Sequence, residues 1–151
     1  MIPYSTQTID TDDIKAVNKI LKSNYLTSGP NVKKFEKMIS KYTSSKYSLS
    51  FNSATSALHA SCLALGLGKG DYFWTVPNSF VSSATCGLLC GAKVDFVDID
   101  QKSNNISIKS LKEKLFKAKK NNLLPKVIIP VHLTGLPCQQ DEIWKLSKEF
   151  N

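Results

Sequence analysis

The chain has 151 residues, of which 42% are hydrophobic, so it is long enough to bury the core of one ordinary globular domain. This composition argues against disorder and against a coiled coil, and no stretch reaches the roughly 18 consecutive apolar residues that a membrane helix requires. The net charge of +8 is the balance of 20 lysines and 12 acidic residues, and the sequence contains no arginine. Arginine provides the bidentate contacts that nucleic-acid readers favour, so nucleic acid is not the expected partner.

Two amphipathic helices are predicted in the first part of the chain. The segment DTDDIKAVNKILK at 10–22 spaces its apolar residues along one face after an acidic first turn. A turn at 23–30 separates it from a second helix at 31–42 with the same spacing. We therefore predict an N-terminal helical segment over residues 1–45.

From residue 46 onward, short apolar runs alternate with helical patterns. Strands are predicted near 47–51, 72–76, 93–97 and 126–131, and helices near 53–65, 79–89, 108–120 and 139–150. This order implies right-handed crossovers and a parallel sheet covered on both faces. Residues 46–151 are predicted to be one structural unit, and a sheet that ends on a crossover helix is expected to be incomplete.

Cysteine usage gives no sign of a metal site. The four cysteines form no CxxC pair and have no histidine cluster near them: Cys62, Cys86, Cys90 and Cys138. A free thiol in a small-residue helix packs as a small buried hydrophobe. The N-terminus MIPYSTQTIDTDD also lacks the basic and apolar regions of a signal peptide, so we expect a cytoplasmic protein with reduced cysteines and no bound metal.

The first strand-to-helix junction, SLSFNSATSALHASCLALG, has the composition of an anion site. Four small or hydroxylated residues follow Asn52, and a helix begins there without a glycine. The unpaired N–H groups of Ala54 and Thr55, together with the helix dipole, would suit a phosphate or another dianion. Serine and threonine at a helix start also serve simply as caps, so this stretch alone leaves both readings open.

The next three junctions add chemistry at the same predicted edge of the sheet. Phe80 follows the second strand and could either stack on a planar ligand or pack in the core. Asp98 and Asp100 follow the third strand and could cap a turn or touch a ligand. His132 follows the fourth strand, where a lone histidine could be structural or could border a site.

The order of these segments resembles a known family. YLTSGP, FEKMISKY, FNSATSALHASCLALGLGKGD, VPNSFVSSATCGLLCGAKVDFVDID and IIPVHLTGLPC are similar to the N-terminal part of the DegT/StrS sugar aminotransferases. These are pyridoxal 5'-phosphate (PLP) enzymes of fold type I, with an α/β large domain built on a mostly parallel sheet. The FNSATSAL form resembles members that aminate UDP-linked 4-keto-6-deoxy-hexosamines, as in pseudaminic acid synthesis.

The resemblance assigns roles to five residues. It gives Ala54 and Thr55 to the cofactor phosphate and Phe80 to the position that stacks on the pyridine ring. It places Thr27 at the substrate entrance and His132 in the segment bordering the cofactor, and both are predicted to bind the substrate. It also implies glutamate as amino donor, a nucleotide sugar as acceptor, a role in polysaccharide biosynthesis and a homodimer.

Two residues of the family's chemistry have no counterpart in this sequence. Relatives carry, further along, an aspartate that pairs with the pyridinium nitrogen and a lysine that binds the cofactor covalently; neither position matches a residue here. No catalytic residue is therefore assigned, and the chain is expected to be an inactive N-terminal fragment of an aminotransferase. The alternatives are a non-catalytic α/β module that binds a phosphorylated small molecule, and a PLP-dependent sugar dehydratase of the same family.

Overall fold

The computed structural model describes residues 2–3 and 5–150, which form two compact units, Met1–Ser50 and Phe51–Asn151. The domain boundary expected from the sequence, between residues 45 and 46, stays a prediction.

The first unit contains two helices, α1 (Thr11–Leu21) and α2 (Pro30–Thr43). The side chain of Asp10 accepts hydrogen bonds from the backbone of Asp12 and Asp13, and the Asp13 carboxylate accepts one from the Asp10 N–H. This reciprocal capping box fixes the start of α1. Pro30 stands in the first turn of α2, where the absent N–H costs no helical hydrogen bond.

The apolar faces of α1 and α2 are exposed, and neither helix contains a buried residue. The predicted strand at 47–51 was wrong: these residues, all within the described part of the chain, belong to no strand. The alternation of apolar and polar residues is present, but a strand also requires a neighbour to receive its backbone hydrogen bonds. Here the Ser50 N–H donates instead to the Glu36 carboxylate, at 2.8 Å.

The second unit is a three-stranded parallel sheet with four α-helices. Its elements are α3 (Ala54–Ala64), β1 (Tyr72–Thr75), α4 (Ser82–Leu89), β2 (Lys93–Phe96), α5 (Ile108–Lys120), β3 (Val127–Ile128) and α6 (Gln140–Glu149), with one turn of 3₁₀ helix at Leu133–Gly135. The strand order is β2-β1-β3, with β1 parallel to both neighbours. The predicted parallel arrangement is therefore confirmed.

Two elements of this unit are shorter than the pattern indicates, because α4 starts later and β3 stops earlier. The prediction for α4 began at residue 79, but the chain first makes a tight turn in which the Ser83 N–H bonds to the Phe80 carbonyl, at 3.0 Å. The β3 prediction ran to 131. The ladder continues only to the Ile129 N–H, which donates to the Trp74 carbonyl, because Pro130 has no N–H to donate.

Successive side chains of β1 fill the two layers of the core. Trp74 packs on one face among residues of α5 and α6, including Leu111, Leu115 and Leu146. Phe73 packs on the opposite face with Cys62 of α3 and Cys86 of α4. Because alternate side chains of a strand point to opposite faces, one short buried strand is the centre of both layers. The sheet is covered on both faces, as predicted.

Candidate functional site

The N-terminus of α3 lies at the carboxyl edge of the sheet. The Nζ of Lys126, next to the start of β3, donates to the carbonyl of Gly66 and to the carboxylate of Asp71, so the end of α3 lies at the amino edge. An α-helix of this length spans roughly 16 Å and reaches the opposite edge. α4 begins just after β1 and packs against α3, which brings the starts of both helices to the same edge and face.

The first turn of α3 leaves two backbone donors free. The side chain of Ser53 caps the helix by accepting the Ser56 N–H at 3.2 Å, and the Ser53 carbonyl accepts the Ala57 N–H. Within residues 2–3 and 5–150, nothing accepts from the N–H groups of Ala54 and Thr55. These are the two donors for which the sequence left an anion site and a simple helix cap both open.

The electrostatics of this turn favour an anion over a cation. The first turn of α3 contains no acidic side chain, whereas α1 begins with Asp12 and Asp13. The Ser53 and Ser56 hydroxyls bond to each other at 3.0 Å, while the Thr55 hydroxyl has no partner among the described residues. The positive end of the helix dipole is thus left uncompensated beside a free hydroxyl.

Phe80 stands at the start of the α4 region with 74% of its surface exposed. Packing in the core is therefore not its role in this structure. An exposed phenyl ring at the edge that also carries the free α3 amides can cover a planar ligand held there.

His132 follows β3 at the same edge and is held by its own loop. Its Nδ1 accepts a hydrogen bond from the Cys138 N–H at 3.0 Å, and its Nε2 lies 3.3 Å from the amide nitrogen of Gln140. A protonated Nε2 donates to this amide when the amide group is turned to present its oxygen. Because Nδ1 accepts, the neutral ring carries its proton on Nε2. His132 therefore stabilises its own loop through Nδ1 and offers the Nε2–H as a donor at its exposed side.

The two carboxylates after β2 serve local turns. The Asp98 carboxylate accepts the Ile99 N–H at 2.8 Å. That of Asp100 accepts from the backbone of Lys102 and Ser103, and the Ser103 hydrogen bonds hold the pKa of the Asp100 carboxyl below its ordinary value. Of the two readings that the sequence left open, the capping of turns accounts for all their hydrogen bonds.

Thr27 belongs to the first unit, unlike the other four predicted residues. It is exposed in the turn between α1 and α2, beside a cavity of about 120 Å³. The adjacent Gly29 has φ +146°, and an added Cβ there would lie 2.7 Å from the Cβ of Tyr25. Glycine is required for this tight turn.

Two asparagines link the loops that follow the strands of the second unit by hydrogen bonds, and the sequence analysis did not single them out. The Asn78 amide donates from Nδ2 to the Asn104 carbonyl at 2.8 Å, and its buried Oδ1 has no partner among the described residues. The Asn105 amide bonds to the backbone of both Leu133 and Leu136. For Asn105 the signal in the sequence was the Asn104-Asn105 pair, which is typical of turns.

A groove of about 310 Å³ between α5, α6 and the end of β3 lies on the other face of the sheet. Ile128, Ile143 and Trp144 are among its apolar walls, and none of the predicted site residues lines it. We place the functional site at the α3 and α4 N-termini instead, because the free donors and the exposed ring lie at the same edge of the sheet.

Neither a metal-binding cluster nor a membrane-spanning helix is found in the described part of the chain. Residues 2–3 and 5–150 contain no cluster of histidine, cysteine, aspartate or glutamate side chains that could hold a metal ion. Within the same ranges, no helix combines the length and the apolar character needed to cross a membrane.

Comparison with known proteins finds relatives that are named as transaminases or aminotransferases. A transaminase for UDP-4-amino-4,6-dideoxy-N-acetyl-beta-L-altrosamine from Campylobacter jejuni is 40% identical over 151 residues, which is the whole of this chain and 39% of the relative. Helicobacter pylori PseC, an aminotransferase of pseudaminic acid biosynthesis, is 31% identical with a TM-score of 0.87 over 98% of this chain and 38% of its own. A putative sugar aminotransferase of Streptococcus pneumoniae in its PLP form is 28% identical, with a TM-score of 0.86 over 99% of this chain and 37% of its own.

These matches establish fold and family together. The chain has the partial α/β fold of the fold type I PLP-dependent aminotransferases, as the sequence predicted, and it spans 36–39% of the length of the curated relatives it matches. The family model for the DegT/DnrJ/EryC1/StrS aminotransferases matches residues 7–151. The chain therefore belongs to the DegT/DnrJ/EryC1/StrS aminotransferase family.

Proposed function

We propose that this chain provides the phosphate-binding and ring-covering part of a PLP-dependent nucleotide-sugar aminotransferase. The single observation that carries the proposal is the start of α3, where the N–H groups of Ala54 and Thr55 have no acceptor among residues 2–3 and 5–150. The cofactor's phosphate is a dianion, and a helix start without acidic side chains suits it. A solved relative in PLP and PMP forms supports the cofactor.

Each residue of the site then has a distinct task. The two amides and the Thr55 hydroxyl hold the phosphate, and Phe80 covers the pyridine ring. When bound, the cofactor supplies the carbonyl and amine chemistry by which an amino group is carried between molecules. Thr27 and His132 are proposed to contact the sugar substrate.

The proposed amino acceptor is the keto group of a nucleotide-linked deoxysugar, and the proposed donor is glutamate. The acceptor is supported by the Campylobacter jejuni relative, whose named substrate is a UDP-linked amino sugar. Because this chain spans little more than a third of such relatives, the complete reaction and the homodimer are proposals for the longer protein. The covalent cofactor lysine is proposed to lie outside these 151 residues.

Pyridoxamine phosphate is the suitable probe for this proposal, because it cannot bind covalently to any lysine. Titration of the 151-residue chain, followed by ligand fluorescence, should give tighter binding for pyridoxamine phosphate than for pyridoxamine. Ala54→Pro removes one proposed donor while keeping the helix, since proline is tolerated at the first helical position and Ser53 is already extended, at φ −158°. We expect affinity to fall by about tenfold, as for loss of a hydrogen bond to a charged group.

Thr11→Pro is the matched control. It makes the same change at the first position of α1, whose first turn carries Asp12 and Asp13. Its affinity should equal that of the unchanged chain. Equal affinities for the two pyridoxamine ligands, or an Ala54→Pro chain that binds as well as the Thr11→Pro chain, would refute the phosphate site.

A further inference from the structure

The backbone of Asn105 is fixed by the turn that precedes it. Its carbonyl accepts the Asp100 N–H at 2.9 Å, while the Asp100 carboxylate accepts the N–H groups of Lys102 and Ser103. Asn105 itself is 4% exposed. A buried amide side chain on so constrained a backbone has little freedom to reorient.

Both halves of the Asn105 amide bind the loop that follows β3. Its Nδ2 donates to the Leu136 carbonyl at 2.9 Å, and its Oδ1 accepts the Leu133 N–H at 3.0 Å. One side chain thus satisfies a donor and an acceptor at the two ends of a four-residue loop. Loss of the amide would leave the Leu136 carbonyl without a partner among the described residues, and the Leu133 N–H with only its second acceptor, the Val131 carbonyl at 3.0 Å.

The loop between these two contacts is strained. Thr134 has φ +54° and Gly135 has φ +88°. A β-branched residue is seldom found at positive φ, and such a conformation persists only where the surroundings impose it. The Asn105 amide, which grips the loop on either side of Thr134, is the group placed to impose it.

The same turn reaches the neighbouring junction. The Asn104 carbonyl accepts from the Nδ2 of Asn78, two residues before Phe80. His132 precedes the clamped loop and keeps its Nδ1 on the Cys138 N–H. The turn after β2 therefore connects the segment that carries the proposed ring-covering phenyl to the segment that carries the histidine.

We propose that Asn105 is a positioning residue, which holds the 133–136 loop and thereby fixes the preceding His132 in its Nε2-protonated form at the proposed site. This inference rests on the proposed function for its purpose, but the clamp itself can be tested without any ligand. Asn105 contacts neither cofactor nor substrate in this role. It acts through the backbone of Leu133 and Leu136.

The direct test is the imidazole ¹⁵N spectrum of His132 in the 151-residue chain, with His59 changed to glutamine to leave one histidine. In the parent chain, neutral His132 should show an unprotonated Nδ1. Asn105→Ala should give a mixture of the two neutral forms and lower the affinity for pyridoxamine phosphate by at least about fivefold, because a loosened site must be ordered on binding. Asn105→Asp, which keeps an acceptor for the Leu133 N–H but loses the donor to Leu136, should change both quantities in the same direction.

A variant that is destabilised elsewhere separates positioning from stability. Leu67→Ala removes a buried side chain from the core on the α3 and α4 face, away from the loop. Urea midpoints identify conditions in which all variants are folded, and there Leu67→Ala should retain the parent His132 spectrum. An unaltered spectrum in both Asn105 variants, or an equal alteration in Leu67→Ala, would overturn the proposal. Failure of the parent chain to prefer the phosphorylated ligand would instead refute the proposed function and leave the spectral test standing.

Discussion

Gly87 marks the closest approach between α4 and the sheet. A Cβ added there would lie 2.4–2.6 Å from three atoms of the Phe73 ring, and that ring is fully buried. Alanine is favoured over glycine inside a helix by about 1 kcal/mol, whereas overpacking a core costs about 1–3 kcal/mol. The steric cost should outweigh the gain in helix propensity, because a buried ring cannot move aside. The substitution should therefore be destabilising.

We therefore expect Gly87→Ala to lower the free energy of unfolding by about 1–2 kcal/mol, measured by urea denaturation. Gly68→Ala is the matched control, since nothing lies within 4 Å of its added Cβ. Its stability should stay within about 0.5 kcal/mol of the parent. If the Gly87 variant were as stable as this control, the close packing of α4 on Phe73 would be wrong.

Cys62 gives a second prediction at the residue scale, and it concerns pH. Burial raises the pKa of the Cys62 thiol from 9.0 to about 12, with a further contribution from the neighbouring Cys86 thiol. Above pH 9 the unfolded chain releases this proton while the folded chain retains it. The contribution of Cys62 to stability should thus be lost as pH rises between about 9 and 12, by at most about 1.4 kcal/mol per pH unit.

Lysines and tyrosines also titrate in that window, so the comparison must be made against Cys62→Ala. Urea unfolding of both chains at several pH values above about 8 should show a steeper decline for the parent than for the variant. Parallel pH profiles would mean that this thiol is more accessible to water than the structure indicates.

At the scale of elements, α6 contributes to the core through one stripe. Leu146 is buried among residues of α5 and β1, and the Phe150 ring meets the Phe116 ring edge-on at 5.0 Å. Leu146→Ala should lower the free energy of unfolding by about 2–5 kcal/mol, the usual range for a leucine removed from a core. Leu63→Ala, at an exposed position near the C-terminal end of α3, should cost far less. Equal urea midpoints for the two variants would contradict the packing of α6.

The helices were largely predictable because their signals are local. The acidic first turn at Asp12 and Asp13 marked α1, and Ser53 marked the start of α3, where it indeed caps the helix. These are contacts between residues two to four positions apart, so a single sequence contains them. The parallel sheet followed from the alternation of such helices with apolar runs.

What could not be predicted depends on distant partners. The run at 47–51 alternates as a strand would, yet Tyr47 and Leu49 are each 76% exposed, and whether a neighbouring strand exists is not encoded in the run itself. The partners of the Asn105 amide lie 28 and 31 residues away, so nothing near the Asn-Asn pair indicated them. At the site, the sequence proposed Ala54, Thr55 and Phe80 by type and order. That the two amides are unpaired and the ring is exposed could be seen only in the three-dimensional structure.

At the scale of the whole molecule, the two units differ in how they are stabilised. Both clusters of buried hydrophobic residues belong entirely to Phe51–Asn151, while α1 and α2 contain no buried residue. A helix of this length is marginal in water without tertiary packing. The second unit should therefore fold without the first, and the first should not fold without a partner for its apolar faces.

A chain of residues 51–151 tests this expectation. Its urea midpoint and its near-ultraviolet circular dichroism should match those of the 151-residue chain, because Trp74 and Phe73 keep all their core neighbours. A peptide of residues 1–50 should show little helix. Limited proteolysis of the intact chain should then cleave first in residues 1–50, since cleavage follows the free energy of local opening and helices without buried residues open most readily. Early cuts within β1 or α5 would instead place the weakest structure in the second unit.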